Sequence, residues 1–200
     1  MALIGGAAPF LYARDNSTED ARRENAARLM NDLMTGKGPI GGPFMLTDQY
    51  GQRRSLDDFR GKLVLLYFGY TFCPDVCPTD LLAMGQLVKT LGVDGDKMQL
   101  IFVTLDPERD TQELLRDYVA AFHPRFVALR GSEDEVRRVA TSYKIYFEKV
   151  RPPGSSTYLI DHMAFIFLLD RSGKYVAFFP PGTSAERMAV MVREFLAHPG

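Results

Sequence analysis

The feature that most constrains the fold is one near-continuous apolar run, KLVLLYFGY, over residues 62–70. A half-exposed strand alternates polar and apolar residues, whereas an unbroken run predicts a strand that is buried on both faces. Residues 98–105, MQLIFVTL, form a second run of the same kind. Strands of this type occur in parallel sheets that are covered by helices, so we expect an α/β protein.

Helical segments separate these runs and complete the pattern. We predict helices over residues 78–91, 110–122, 132–146 and 184–197. Two of them begin with capping boxes, formed by Asp110 with Glu113 and by Ser132 with Glu135. We predict a short strand at residues 126–129 and a closing hairpin, AFIFLLD and KYVAFFP, that turns at residues 171–173. This order predicts a thioredoxin-like fold with a central mixed sheet flanked by helices.

The first forty residues are expected to be an extension that precedes the domain. Residues 16–35 predict a helix with a loose apolar stripe, and the following GKGPIGGPF predicts a loop. The domain over residues 41–200 then opens with PFMLTDQYGQRRSL, which predicts a β-hairpin that turns near Gly51. We interpret the apolar start, MALIGGAAPF, either as the end of a membrane anchor or as a flexible terminus.

Charge and hydropathy argue against a nucleic-acid partner and against a membrane-spanning helix within this chain. The formal net charge is −1, and no long run of Lys or Arg occurs, so we do not expect nucleic acid as a partner. No apolar stretch reaches the roughly 18 residues that a membrane-spanning helix needs.

The chain has two cysteines, Cys73 and Cys77, and both lie where the first buried run ends and a helix begins. A disulfide-stapled scaffold needs more cysteines, and a polar, turn-like segment is poor packing for inert ones, so the pair indicates redox or metal chemistry. Pro78 suits the first position of a helix, which places Cys77 near the N-cap. The helix dipole favours negative charge there, so both thiols are expected to have lowered pKa values.

A third ligand candidate is His162, one of three histidines with His123 and His198. In a thioredoxin-like fold, the loop before the strand that follows His162 faces the cysteine turn. Two thiolates and one imidazole form a soft donor set that suits copper, either Cu(I) alone or Cu(II) with a fourth donor. Zinc is the rival metal, although a structural zinc site has four protein ligands. We interpret His123 and His198 as ordinary surface or core residues.

The neighbours of His162 have two predicted roles. Asp161 is a candidate to orient the imidazole or to add negative charge near the metal, and it equally suits a turn. Met163 is expected to point away from the ligand side, because side chains alternate along a strand.

With these residues, the sequence resembles the Sco/SenC family of copper chaperones for cytochrome oxidase assembly. The resemblance covers about residues 40–197 and is carried by PFMLTD, SLDDFRGK, YFGYTFCPDVCPTDL, FVTLDPERDT and YLIDH. It implies one copper ion per chain, bound by Cys73, Cys77 and His162. It implies delivery of that copper to the binuclear copper site of cytochrome c oxidase subunit II, with a copper donor protein and a thioredoxin-like reductant as further partners. It also implies a periplasmic or intermembrane-space location through an anchor outside this chain, which is itself expected to be soluble.

Two other functions would use the same cysteines. A thiol-disulfide reductase that keeps the acceptor cysteines reduced would use Cys73 and Cys77 as its redox pair, although such enzymes usually separate the cysteines by two residues. A thiol peroxidase is a further alternative, because Thr71 lies two residues before Cys73. Neither activity needs His162, whereas a copper site does. We therefore interpret the protein first as a metallochaperone and only second as an enzyme.

Overall fold

The fold is described for residues 24, 27–28, 30–35 and 39–197 of a computed structural model. The strands are β1 Met45–Asp48, β2 Arg53–Ser55, β3 Leu63–Gly69, β4 Met98–Thr104, β5 Phe126–Arg130, β6 Phe147–Val150, β7 Leu159–His162, β8 Ile166–Leu169 and β9 Tyr175–Phe179. The helices are α2 Val76–Leu91, α3 Gln112–Ala120, α4 Glu133–Ser142 and α5 Ala185–Ala197. Residues 24, 27–28 and 30–35 are also helical and are called α1.

Seven of the strands form one mixed sheet in the order β2-β1-β5-β4-β3-β8-β9. The central strands β3, β4 and β5 run parallel, while β1–β2 and β8–β9 are antiparallel hairpins at the two edges. Every residue of β3 and β4 is buried, as their unbroken apolar runs predict. The predicted fold class, a thioredoxin-like mixed sheet flanked by helices, is confirmed.

The predicted loop over residues 149–161 is wrong at both of its ends. β6 and β7 pair there as a two-stranded antiparallel sheet that is separate from the main one. β6 has the sequence FEKV, with two exposed charged residues, so no apolar run marks it as a strand. His162, expected in a loop, is instead the last residue of β7 and pairs with Phe147.

α3 and α4 both end before the residues predicted for them. α4 ends at Ser142 rather than near Tyr146, because Lys144 has a φ of 60°, in the left-handed region that ends a helix. α3 ends at Ala120 rather than near residue 122, and it begins at Gln112 with Thr111 as its N-cap.

Asp110, the predicted cap of α3, has a different role. Its carboxylate accepts hydrogen bonds from the backbone N–H and the hydroxyl of Thr71 and from the hydroxyl of Thr104. These hydrogen bonds join the loop that leads to Cys73 to the end of β4. Asp110 itself is fully buried. Sequence spacing alone assigned it to the helix because a capping box is a local pattern, whereas these contacts are long-range.

The described residues of α1 contact the domain that follows. Leu33 is 3% exposed, and the Tyr175 hydroxyl donates a hydrogen bond to its carbonyl oxygen at 2.7 Å. The predicted helix over residues 16–35 lies partly outside the described residues, and its described part is helical as far as residue 35. The boundary at residue 40 stays a prediction. Among the described residues, no helix combines the length and the apolar character that crossing a membrane requires.

Candidate metal centre

The two cysteines follow the carboxyl end of β3 and lead into α2. α2 begins at Val76 with Asp75 as its N-cap, so Pro78, predicted to be the first helical residue, is the third. The earlier start is tolerated because N–H groups in the first turn have no partner within a helix, and proline lacks only that group. Cys77 therefore lies in the first turn, as predicted, and Cys73 lies in the preceding loop.

The side chains of Cys73, Cys77 and His162 converge, with their ligand atoms all within 4.8 Å of one another. The Cys77 Sγ lies 3.4 Å from the His162 Nε2, and the backbone N–H of Cys77 donates to the Cys73 Sγ at 3.5 Å. Both cysteines are free thiols. The structure thus brings together the three residues that the sequence predicts, across 85 positions of chain between Cys77 and His162.

Gly69, the last residue of β3, creates the space that Cys77 occupies. A Cβ at this position would lie 2.9 Å from the Cys77 Sγ, closer than such atoms can approach. None of the sequence-based predictions includes Gly69, although a glycine inside a buried apolar run indicates a close approach. The absence of a side chain at Gly69 therefore leaves room for the Cys77 sulfur beside the end of β3.

The two thiols differ strongly in acidity. Interaction with Cys77 is the main cause that lowers the pKa of Cys73 to about 4, helped by His162 and by the backbone N–H groups of Asp75 and Cys77. The pKa of Cys77 is raised, because it lies beside the Cys73 sulfur and is buried. The prediction that both thiols have lowered pKa values is therefore wrong for Cys77. Two adjacent sulfurs cannot both ionise easily, and the half-exposed one ionises first.

Two aromatic rings pack against the imidazole of His162, whose Nε2 faces the Cys77 sulfur. The rings of Tyr67 and Tyr70 meet it edge-on, with centroids 6.4 and 6.0 Å away. The His162 Nδ1 is buried and makes no hydrogen bond with any residue that the structure describes. Asp161 is exposed, and no hydrogen bond joins its carboxylate to the imidazole. Its role in orienting the ring therefore stays a prediction.

A buried carboxyl group lies one helical turn beyond Cys77. Asp80 is fully buried, and its Oδ1 accepts the backbone N–H of Gly182 at 2.8 Å. Burial raises the pKa of Asp80. The contact joins α2 to the segment before α5, and no local sequence pattern predicts it because the partner is 102 residues away.

The remaining candidate residues lie elsewhere or pack in the core. His123 is nearly buried, and its Nδ1 accepts the backbone N–H of Arg125 at 3.2 Å, as befits a satisfied core residue. Met163 is half-buried and packs against the hydrophobic core. His198 lies outside the described residues.

The arrangement can support metal binding or thiol chemistry. Two sulfurs and an imidazole nitrogen form a soft donor set that fits Cu(I). A half-exposed, acidic thiol beside a buried one is also the arrangement that thiol-disulfide exchange needs, because the thiolate is the attacking species.

Comparison with known proteins identifies the family. Residues 33–197 match the family model described as SCO1/SenC. The chain belongs to the SCO1/SenC family. Among relatives of this SCO1/SenC protein, the SCO2-like protein of Rickettsia prowazekii is 39% identical over 158 residues, which cover 78% of this chain and 77% of the relative. The resemblance inferred from the sequence motifs is confirmed.

Solved structures share the fold of this SCO1/SenC protein. The copper-bound ScoI of Bradyrhizobium japonicum is 41% identical, with a TM-score of 0.71, over 78% of this chain and 99% of that one. BsSco, described as having a disulfide switch and as a member of the Sco family of cytochrome c oxidase assembly proteins, is 25% identical. It has a TM-score of 0.59 over 80% of this chain and 97% of its own.

Proposed function

We propose that this SCO1/SenC protein binds one copper ion as cargo between Cys73, Cys77 and His162 and passes it to another protein. The observation that carries the proposal is the convergence of the three ligand atoms within 4.8 Å of one another. The copper-bound state of the related ScoI supports it. A structural zinc site is less suitable, because it takes four protein ligands and three are present among the described residues.

The acidity of the two thiols suits the binding and release of cargo. Cys73 is already a thiolate at neutral pH, because its pKa is lowered to about 4. Cys77 keeps its proton until a cation arrives, so copper binding releases that proton. Cys73 is also half-exposed while Cys77 is buried, so an incoming ligand of a partner protein reaches the copper first from the Cys73 side.

The proposed acceptor is the binuclear copper site of cytochrome c oxidase subunit II. The description of BsSco as belonging to a family of oxidase assembly proteins supports this acceptor. The proposal includes a copper donor protein, a thioredoxin-like reductant that restores the dithiol, and a position at the periplasmic or intermembrane-space face of a membrane.

A second candidate function, reduction of the acceptor's cysteines, is favoured by the unequal acidity of the thiols. The Cys73 thiolate would attack an acceptor disulfide and form a mixed disulfide, which releases one acceptor thiolate. Cys77 would then lose its proton and attack the Cys73 sulfur, which frees the second acceptor thiolate and leaves a Cys73–Cys77 disulfide. A thioredoxin-like dithiol must supply the two electrons that regenerate the pair.

The variant His162→Ala separates the two functions. It removes the nitrogen ligand and keeps both thiols and the start of α2. Cu(I) affinity, measured by competition with a chromophoric chelator, should fall by more than about 100-fold, because even residues that merely support a metal ligand contribute 10–100-fold. Thiol-disulfide exchange with a model disulfide should continue.

The matched control is His123→Ala, which removes a histidine that is bonded within the core and should leave copper affinity unchanged. Thermal melting of the metal-free proteins checks that both variants fold. A folded His162→Ala protein that binds and transfers copper as well as the wild type would overturn the three-ligand site. The reductase function would then be the better supported of the two.

A further inference from the structure

The candidate ligands belong to two parts of the molecule that are not joined by a common sheet. Cys73 and Cys77 lie in the loop and first helical turn that follow β3 of the main sheet, whereas His162 lies in the separate β6–β7 hairpin. No hydrogen bond from the His162 Nδ1 to a described residue fixes the ring. The position of the imidazole therefore depends on what holds the hairpin against the cysteine loop.

Arg109 lies between these two parts. Its guanidinium carbon is 3.7 Å from the ring centroid of Tyr158 and 4.8 Å from that of Phe72. Tyr158 directly precedes β7, and Phe72 directly precedes Cys73. One planar cation thus stacks on an aromatic residue from each side of the site, and such contacts are favourable when they are partly desolvated.

Hydrogen bonds direct the same guanidinium toward the hairpin. The Arg109 Nη1 donates to the carbonyl oxygen of Tyr158 at 3.0 Å, and the Arg109 Nε donates to the Asp106 Oδ2 at 2.5 Å. The Tyr158 hydroxyl donates to the other oxygen of Asp106 at 2.8 Å. Asp106 is fully buried and follows β4, so the network ties the start of β7 to the main sheet.

The geometry also connects this network to the imidazole. Tyr70 is 2% exposed, and its ring centroid lies 6.0 Å from the Arg109 guanidinium carbon and 6.0 Å from the centroid of His162. β7 has four residues, with Tyr158 directly before it and His162 at its end. Because the strand is so short, a displacement of Tyr158 also moves His162.

We propose that Arg109 is a positioning residue that holds the β6–β7 hairpin, and with it His162, beside the two cysteines. The inference rests on the proposed copper site and adds to it the group that assembles its third ligand. A lysine cannot replace this function, because an ammonium group neither stacks as a plane nor donates in two fixed directions.

The expected size of the effect follows from the fraction of molecules with His162 in place. Apparent copper affinity falls in proportion to that fraction. Arg109→Lys should therefore lower Cu(I) affinity by about tenfold or more, and by no more than His162→Ala does. Tyr158→Phe, which keeps the ring and removes the hydrogen bonds of the hydroxyl to Asp106 and Glu108, should lower the affinity in the same direction by a smaller factor.

The test places Arg109→Lys in both the wild-type and the His162→Ala backgrounds. If Arg109 acts through His162, the loss of affinity appears in the wild-type background and vanishes when His162 is absent. Arg116→Lys is the matched control, because Arg116 lies on α3 and pairs only with the exposed Asp117 among the described residues. It should leave the affinity unchanged in both backgrounds.

A measurement on the metal-free protein provides an independent readout. Amide hydrogen exchange of residues 159–162 should accelerate in Arg109→Lys, while the amides of β3 and β4 keep their wild-type protection. Tyr158→Phe should show a smaller acceleration, and it preserves the test if Arg109→Lys fails to fold.

Each outcome distinguishes the inference from the proposed function. Wild-type copper affinity in His162→Ala overturns the three-ligand site itself. A large loss in His162→Ala, with wild-type affinity and exchange in a folded Arg109→Lys, overturns the positioning role alone. An equal loss from Arg109→Lys in both backgrounds also overturns it, because Arg109 would then act on the cysteines.

Discussion

Replacing Gly69 by alanine tests the close approach between β3 and Cys77. The added Cβ would lie 2.9 Å from the Cys77 Sγ, 3.0 Å from a ring carbon of Tyr67 and 3.1 Å from a ring carbon of Phe102. Non-bonded heavy atoms settle at about 3.5–4.0 Å, so the Cys77 sulfur or the backbone must move by roughly 0.5–1 Å. All three neighbours are fully buried, so none can move into solvent.

The energetic cost of this substitution can be bounded. Overpacking of a filled core costs about 1–3 kcal/mol, and alanine regains roughly 0.5–1 kcal/mol because it loses less backbone entropy than glycine in a strand. The midpoints of these ranges leave a net loss of about 1 kcal/mol, which should lower the melting temperature by about 2–4 °C for a domain of this size. The displaced sulfur should also weaken Cu(I) binding by about tenfold or more.

The control is Gly85→Ala, which creates a similar clash away from the site. A Cβ there would lie 2.8 Å from the carbonyl oxygen of Phe122, and Gly85 lies eight residues beyond Cys77, about 12 Å along α2. Chelator competition should show a loss of copper affinity for Gly69→Ala alone. Equal copper affinity in the two variants, or an unchanged melting temperature for Gly69→Ala, would refute the argument that Gly69 shapes the site.

Two further predictions concern thiol reactivity and the attachment of α1. Because the pKa of Cys73 is lowered to about 4, its alkylation by iodoacetamide, followed by peptide mass spectrometry, should be nearly constant between about pH 5 and 8 and faster than that of Cys77. An ordinary thiol with a pKa of about 8.5 would accelerate nearly 1000-fold over this interval, and such a rise at Cys73 would contradict the prediction. Leu33→Ala should lower the free energy of unfolding in urea by about 2–5 kcal/mol, because Leu33 is buried. Met34→Ala, at a residue that is 73% exposed, should change it by less than about 0.5 kcal/mol, and equal effects would show that α1 does not pack on the domain.

The parts of the fold that the sequence predicts well are those with a strong local signal. β3 and β4 lie within the two unbroken apolar runs, and the two edge hairpins form at the predicted places. β6 lacks such a signal, because its charged residues face solvent and its pairing with β7 alone makes it a strand. The cap of α3 was misassigned for a related reason, since the carboxylate of Asp110 is used by residues distant in sequence.

In the candidate site, too, the sequence predicts the type of chemistry but not the acidity of each thiol. The residue types alone indicate soft-metal or thiol chemistry, because thiolates and imidazole have this chemistry in any fold. The unequal acidity of Cys73 and Cys77 could not be predicted from their place before a helix, because it arises from burial and from the distance between the two sulfurs. The helix start favours a thiolate, but one buried site holds only one such charge easily.

The sequence by itself determined the class of fold and the set of possible ligands, because apolar periodicity and side-chain chemistry are properties of short segments. Tertiary structure decided where those ligands meet. The approach of Cys77 to His162 joins residues 85 positions apart, and the Arg109 contacts that hold the hairpin span 49. Such contacts exist only once the sheet has formed and the hairpin has packed against it, so no local pattern in the chain encodes them.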